Sequence, residues 1–119
     1  MVMQMKAIEL SPEAERFVEI LAALGNPARF RIMEILARNP QSIVADVVRE
    51  LPIAQATVSQ HLAVLREAGL IYGERDGAGQ CCRIDFAAVS EFAQAVIDWT
   101  LSLAVSTNQR ETKGKTCRP

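Results

Sequence analysis

Gln55, Ala56, Thr57, Ser59, Gln60 and His61 sit within seven consecutive residues of this 119-residue chain, in the stretch QATVSQH. Amides and hydroxyls at this density suit hydrogen bonding to the edges of bases. Gln reads adenine through two hydrogen bonds, Ser and Thr bond bases or phosphates, and Ala accommodates a thymine methyl. The second chemically able group is made of thiols: Cys81 and Cys82 are adjacent, and Cys117 stands near the end. Thiolates bind soft ions such as arsenite. An exposed thiol beside Arg75 or Arg83, whose charge favours the thiolate, is open to oxidation. Each group also has a plainer role. The first serves as a solvated helix face; in the second, Cys82 fills core space as a small hydrophobe and Cys117 is incidental.

The elements that must hold these residues are legible around them. At about 100° per residue, Val58, Leu62 and Leu65 cluster on one arc, with Ala56, Gln60 and Ala63 opposite and Thr57 and Ser59 on the flanks. A solvated helix face usually favours Lys and Glu, which the first half of this helix lacks. Small polar residues instead let a helix enter a major groove, about 12 Å wide. The helix is expected from about Gln55 to Ala68, ended by Gly69. A shorter helix in SIVADVVRE, capped by Ser42, precedes it by about three residues, the layout of a helix-turn-helix. LIYGERDGAGQCCRIDF then reads as a β-hairpin with a glycine-rich tip. Gln55 and His61 fall on the shoulders of the reading helix, near the phosphate walls. Arg75, Gln80 and Arg83, near the hairpin tip, would reach the DNA backbone or the minor groove, contacts that position without specifying sequence.

Two helices come first. SPEAERFVEILAALG opens with Ser11 as N-cap and Pro12 at the first helical position, and carries an apolar stripe of Phe17, Ile20, Leu21 and Leu24. NPARFRIMEILAR is capped by Asn26, with Phe30, Met33 and Leu36 facing inward. A last helix, AAVSEFAQAVIDWTLSLAV, carries Val89, Phe92, Ala93, Val96, Trp99, Leu101 and Leu103, more apolar surface than one small core needs. The fold class is therefore mainly α with a small β-hairpin: a winged helix-turn-helix domain over residues 1–105, with a flexible tail over 106–119. The first and last helices are expected to form a homodimer interface.

Composition narrows the functions. Half the residues are hydrophobic, but no apolar run approaches the roughly 20 needed for a membrane span, and the N-terminus lacks a signal-peptide layout. Three cysteines, two of them adjacent, are no disulfide framework. A cytoplasmic protein without membrane association is expected. The net charge of −1 does not advertise nucleic-acid binding, yet residues 26–84 hold seven Arg against six acids. DNA binding therefore requires the fold to gather arginines on one face. There is no glycine phosphate loop, nucleophile elbow or Cys–His pair at a known spacing, so an enzyme is not expected.

ALGNPARFRIMEIL, then VVRELPIAQATVSQHLAVLREAGLI, then a glycine wing and RID, resemble the ArsR/SmtB family of bacterial winged-helix repressors. The resemblance covers about residues 17–100, and TVSQHLxxLxxAGLI is its specific part. It implies a homodimer on palindromic double-stranded operator DNA, often released by a metal or metalloid ion or by an oxidant. The chain departs from the family at Ala54, where a Ser often caps the reading helix. A family Cys-x-Cys site is replaced by Ser42 and Val44. The last helix carries Glu91 and Asp98 but no His, and His61 is the only histidine, so a multi-histidine zinc site within one subunit is excluded. The remaining ligand set is Cys81 or Cys82 with Cys117, holding arsenite or another soft ion, within one subunit or across the dimer. Neighbours in a strand point to opposite faces, so one wing thiol is expected in the core and the other in solvent. Two alternatives stand beside this: a winged-helix adaptor that binds protein, favoured by the acidic pI of 5.8, and a DNA-binding repressor with no small effector.

Overall fold

A computed structural model describes residues 7–76 and 79–112, with side chains placed for 7–73 and 80–105. The chain divides into two compact units after Asp85. The first opens with α1 (Pro12–Leu24), where Ser11 Oγ accepts from the Ala14 N–H at 3.1 Å and Glu13 and Glu15 occupy the first turn. Negative charge is favoured there by the helix dipole. Ile20 and Ala23 are buried, whereas Leu21, expected on the inward stripe, is 41% exposed. Ile20 and Ala23 define the inward line, and Leu21 sits about 100° round from Ile20.

α2 (Pro27–Arg38) starts on Asn26, whose Oδ1 accepts from the N–H groups of Ala28 and Arg29. It buries Ile32, Ile35 and Leu36. Of the expected inward set, Leu36 is buried and Met33 half-buried, but Phe30 is 57% exposed. Phe30 and Ile32 lie about 200° apart on the helix, so only one of them can face the core.

α3 (Val44–Arg49) begins on Ile43, not on Ser42. The Asp46 carboxylate accepts from the Ile43 N–H at 3.0 Å, doing the work expected of a cap. Ser42 is buried one residue earlier, where its Oγ donates to the Asn39 carbonyl at 2.7 Å. α4 (Gln55–Glu67) follows after residues 50–54, a slightly longer turn than the spacing suggested. Val58, Leu62 and Leu65 are all buried, as the periodicity requires. The helix ends in a Schellman arrangement. Gly69, at φ +76°, donates to Arg66 O, and Leu70 donates back to Leu65 O.

β1 (Ile71–Asp76) and β2 (Gly79–Ile84) pair antiparallel from Ile71 with Ile84 to Asp76 with Gly79. The base of this hairpin is tied to the segment before α3. Ile43 bridges Cys81, the Cys82 N–H donates to Ser42 O at 3.3 Å, and Arg83 donates to Pro40 O and to Gln41 Oε1. The second unit contains α5 (Phe86–Thr112), which continues past the expected boundary at 105. Two of its hydroxyls bond within the helix: Thr100 Oγ1 to Val96 O and Ser102 Oγ to Trp99 O, each at 2.7 Å. Among the described residues no helix is long and apolar enough to cross a membrane.

Candidate nucleic-acid interface

The burial of Val58, Leu62 and Leu65 fixes the rotation of α4, and with it the face the helix turns outward. Gln55, Ala56, Ser59 and Gln60 are exposed, while Thr57, His61 and Ala63 are half-buried at its edges. The exposed face is small, polar and uncharged over its first two turns, as a groove-reading helix requires. Ala54 precedes it as N-cap without a side-chain hydrogen bond, so the first N–H groups of α4 point outward uncapped.

Two clamps from the preceding helices set the tilt of α4. Arg16 of α1 donates from Nη1 to Ala68 O at 2.6 Å, at the C-terminal end. Arg29 of α2 donates from Nε to Ala23 O at 2.6 Å and from Nη2 to Ala22 O at 3.4 Å, and its Nη1 lies 3.1 Å from His61 Nδ1. His61 is thus held from inside on one ring nitrogen, which neither its residue type nor its spacing announced.

Of the expected wing contacts, Gln80 is exposed and its amide lies across Gly73, where an added Cβ would come within 2.8 Å of Nε2. The Arg75 backbone pairs with Gln80 in the hairpin; its side chain lies outside the described residues. Arg83 does not stand near the tip. It pairs with Tyr72 close to the hairpin base, and its guanidinium donates to Pro40 O and Gln41 Oε1, which ties the wing to the segment before α3. A further cation, outside the expected set, stands beside the wing. Arg66 is exposed in the last turn of α4, beside Gly73 of the wing. It follows Ser59 by seven residues, which returns it to the same face after two turns, and that spacing was the available signal.

The thiols are arranged differently from the expectation. Cys81 and Cys82 are both buried, each 1% exposed. Alternation still places them on opposite faces of β2, but the wing base is packed against α2 and α3 and edged by the 42–43 segment, so neither face is open there. Burial raises the Cys82 thiol above its ordinary value, and the charges of Arg66 and Arg83 only partly oppose this. The expected exposed thiol, activated toward its thiolate by Arg75 or Arg83, is therefore not found on the wing. Among the described residues no three His, Cys, Asp or Glu side chains stand close enough to share a metal ion, and two buried thiols on opposite faces do not fit one. Cys117 lies outside the described residues.

The family model for bacterial regulatory proteins of the arsR family matches residues 26–72, from the cap of α2 through the first wing strand. The HTH-type transcriptional regulator YgaV of Escherichia coli is 30% identical over 89 residues, 75% of this chain and 86% of that protein. The chain belongs to the ArsR family. This ArsR-family chain is also 42% identical over 59 residues to the HTH-type transcriptional repressor SmtB of Mycobacterium tuberculosis, across 50% of this chain and 43% of SmtB. In fold it is similar to an ArsR-like transcriptional regulator from Rhodococcus, with a TM-score of 0.77 at 17% identity, covering 90% of this chain and all of that one. It is a transcriptional regulator of ArsR/SmtB type with a winged-helix fold, and not an enzyme.

Proposed function

We propose that this regulator is a cytoplasmic homodimeric repressor that reads double-stranded operator DNA with α4. The observation that carries the reading is the outward face of α4, where Gln55, Ala56, Ser59 and Gln60 are exposed without a Lys or Glu among them, above a fully buried Val58–Leu62–Leu65 line. Gln60 and Ser59 take the base edges, Thr57 and His61 flank them, and Gln55, Gln80, Arg75 and Arg66 meet the backbone. Most described arginines elsewhere are engaged. Arg31 pairs with Glu34, Arg38 with Glu50 and Arg49 with Asp46. The attraction to DNA is consequently local to α4 and the wing, consistent with a chain whose net charge is −1.

Dimerisation is supported separately by apolar surface left open on α1 and on α5. Val18 and Leu21 are exposed on α1, and Ile97, Trp99, Leu101, Leu103 and Val105 on α5. Apolar faces of this size rarely stay in water. A two-fold dimer would set two copies of α4 about 34 Å apart, one turn of DNA. Release by arsenite, another soft ion or an oxidant requires the wing base to open before Cys81 or Cys82 is reached, because both thiols are buried.

The test is binding of the purified chain to labelled DNA from upstream of its own gene as salt is raised. A steep linear fall of log affinity with log salt is expected. No binding at low salt contradicts the reading and leaves the protein-adaptor alternative.

A further inference from the structure

His61 is the chain's single histidine, and among the described residues its ring is held on one side only. Nδ1 lies 3.1 Å from Arg29 Nη1. A guanidinium has donors and no acceptor, so Nδ1 must supply the lone pair and the ring proton sits on Nε2. Arg29 is itself fixed by the carbonyls of Ala22 and Ala23, at the end of α1. The ring therefore cannot turn over without breaking a contact anchored on two helices. Nε2 makes no protein hydrogen bond among the described residues, where no side-chain nitrogen or oxygen is buried without a partner. The Nε2–H consequently opens to solvent, from a half-buried residue at the edge of the exposed face formed by Gln55, Ala56, Ser59 and Gln60.

We propose that Arg29 is a positioning residue for DNA binding: it locks His61 so that the Nε2–H is presented, already oriented, to a phosphate oxygen beside the groove that α4 enters. Arg29 touches no DNA in this arrangement. It supplies tautomer and direction, and His61 supplies the hydrogen bond. A donor aimed in advance costs little ordering when the phosphate arrives. Because the contact is to phosphate, its loss weakens binding to all sequences alike. The inference rests on α4 being the reading helix.

The experiment compares wild type with Arg29→Gln, His61→Asn and the double variant, in anisotropy titrations against operator and unrelated DNA, with imidazole proton exchange followed by NMR. Asn at 61 keeps an acceptor for Arg29 near the Nδ1 position and, being shorter, places no donor at the Nε2 position, so the two anchored helices stay in place. Each single variant is expected to lose about tenfold in affinity on both DNAs, the size of one hydrogen bond to a charged group. The double variant should lose no more than the weaker single one, since both remove the same contact. With one histidine, the spectrum has one ring to follow. Operator should slow exchange of the Nε2 proton with water in wild type and leave it fast in Arg29→Gln. Wild type that binds DNA while His61→Asn binds equally well, or losses that add in the double variant, overturn this inference alone. Wild type that binds no DNA overturns it together with the proposed function.

Discussion

Arg16 Nη1 donates to the carbonyl oxygen of Ala68 at 2.6 Å, across 52 residues of chain. The first helix thereby caps the C-terminal end of α4. The carbonyl lies where the chain turns at Gly69, whose φ of +76° a side chain rarely adopts and whose added Cβ would stand 2.7 Å from Arg16 Nη2. Gly69→Ala is expected to cost about 1–2 kcal/mol from the backbone alone, and to push the guanidinium off the carbonyl. Chemical denaturation should show the loss; a midpoint equal to wild type would mean that this turn tolerates a side chain.

Ala54→Ser should act in the opposite direction. Ala54 is an N-cap with no side-chain hydrogen bond. A hydroxyl there can accept from the second or third N–H of α4, which typically stabilises by about 1 kcal/mol. Thermal melts should rise by a few degrees. An unchanged or lower melting temperature would show that the start of α4 is already satisfied by other means.

The wing thiols should be slow to react. In a Cys117→Ser background, a thiol reagent at neutral pH should modify Cys81 and Cys82 only after denaturant is added, because both are buried and burial keeps Cys82 protonated. The same shift gives a stability signature. Folded Cys82 titrates above the ordinary thiol value and the unfolded thiol near it. The unfolded chain therefore releases its proton first, and stability falls as pH rises beyond that value. Cys82→Ala should flatten this alkaline loss. Rapid labelling of native protein would contradict the burial argument and restore the wing as a direct thiol sensor.

Leu21→Arg with Leu103→Arg should give a monomer. Leu21 is 41% exposed on α1 and Leu103 is exposed on α5, so neither charge enters the buried core of its own chain. Light scattering should move from dimer mass to monomer mass while circular dichroism is retained. Wild type that is monomeric at micromolar concentration removes the dimer from the account.

Local signals were reliable in this chain where they needed only neighbours. Ser11 and Asn26 cap the helices their sequence context assigned them, and Val58, Leu62 and Leu65 are buried at their expected spacing. Expectations failed where a distant segment intervened. Ser42 looks like a cap to its neighbours, but the strand carrying Cys82 bonds its carbonyl and its hydroxyl turns to Asn39. The two cysteines alternate as neighbours in a strand must, yet the helices behind the wing and the residues before α3 leave no open side at its base. Arg83 reads as a free cation and is occupied by Pro40 and Gln41, which lie more than forty residues earlier. The Arg29–His61 contact joins α2 to α4 by side chains alone, and no periodicity encodes it.

The claim that α4 reads bases is tested most directly by a paired titration of Ser59→Ala and Gln60→Ala against operator and unrelated DNA. Both residues are exposed, so neither change should disturb folding. Each should weaken operator binding by about 1–3 kcal/mol, the worth of a good base contact, while affinity for unrelated DNA stays close to wild type. If both variants bind the operator as wild type does, the face of α4 that carries Ser59 and Gln60 is not the reading face.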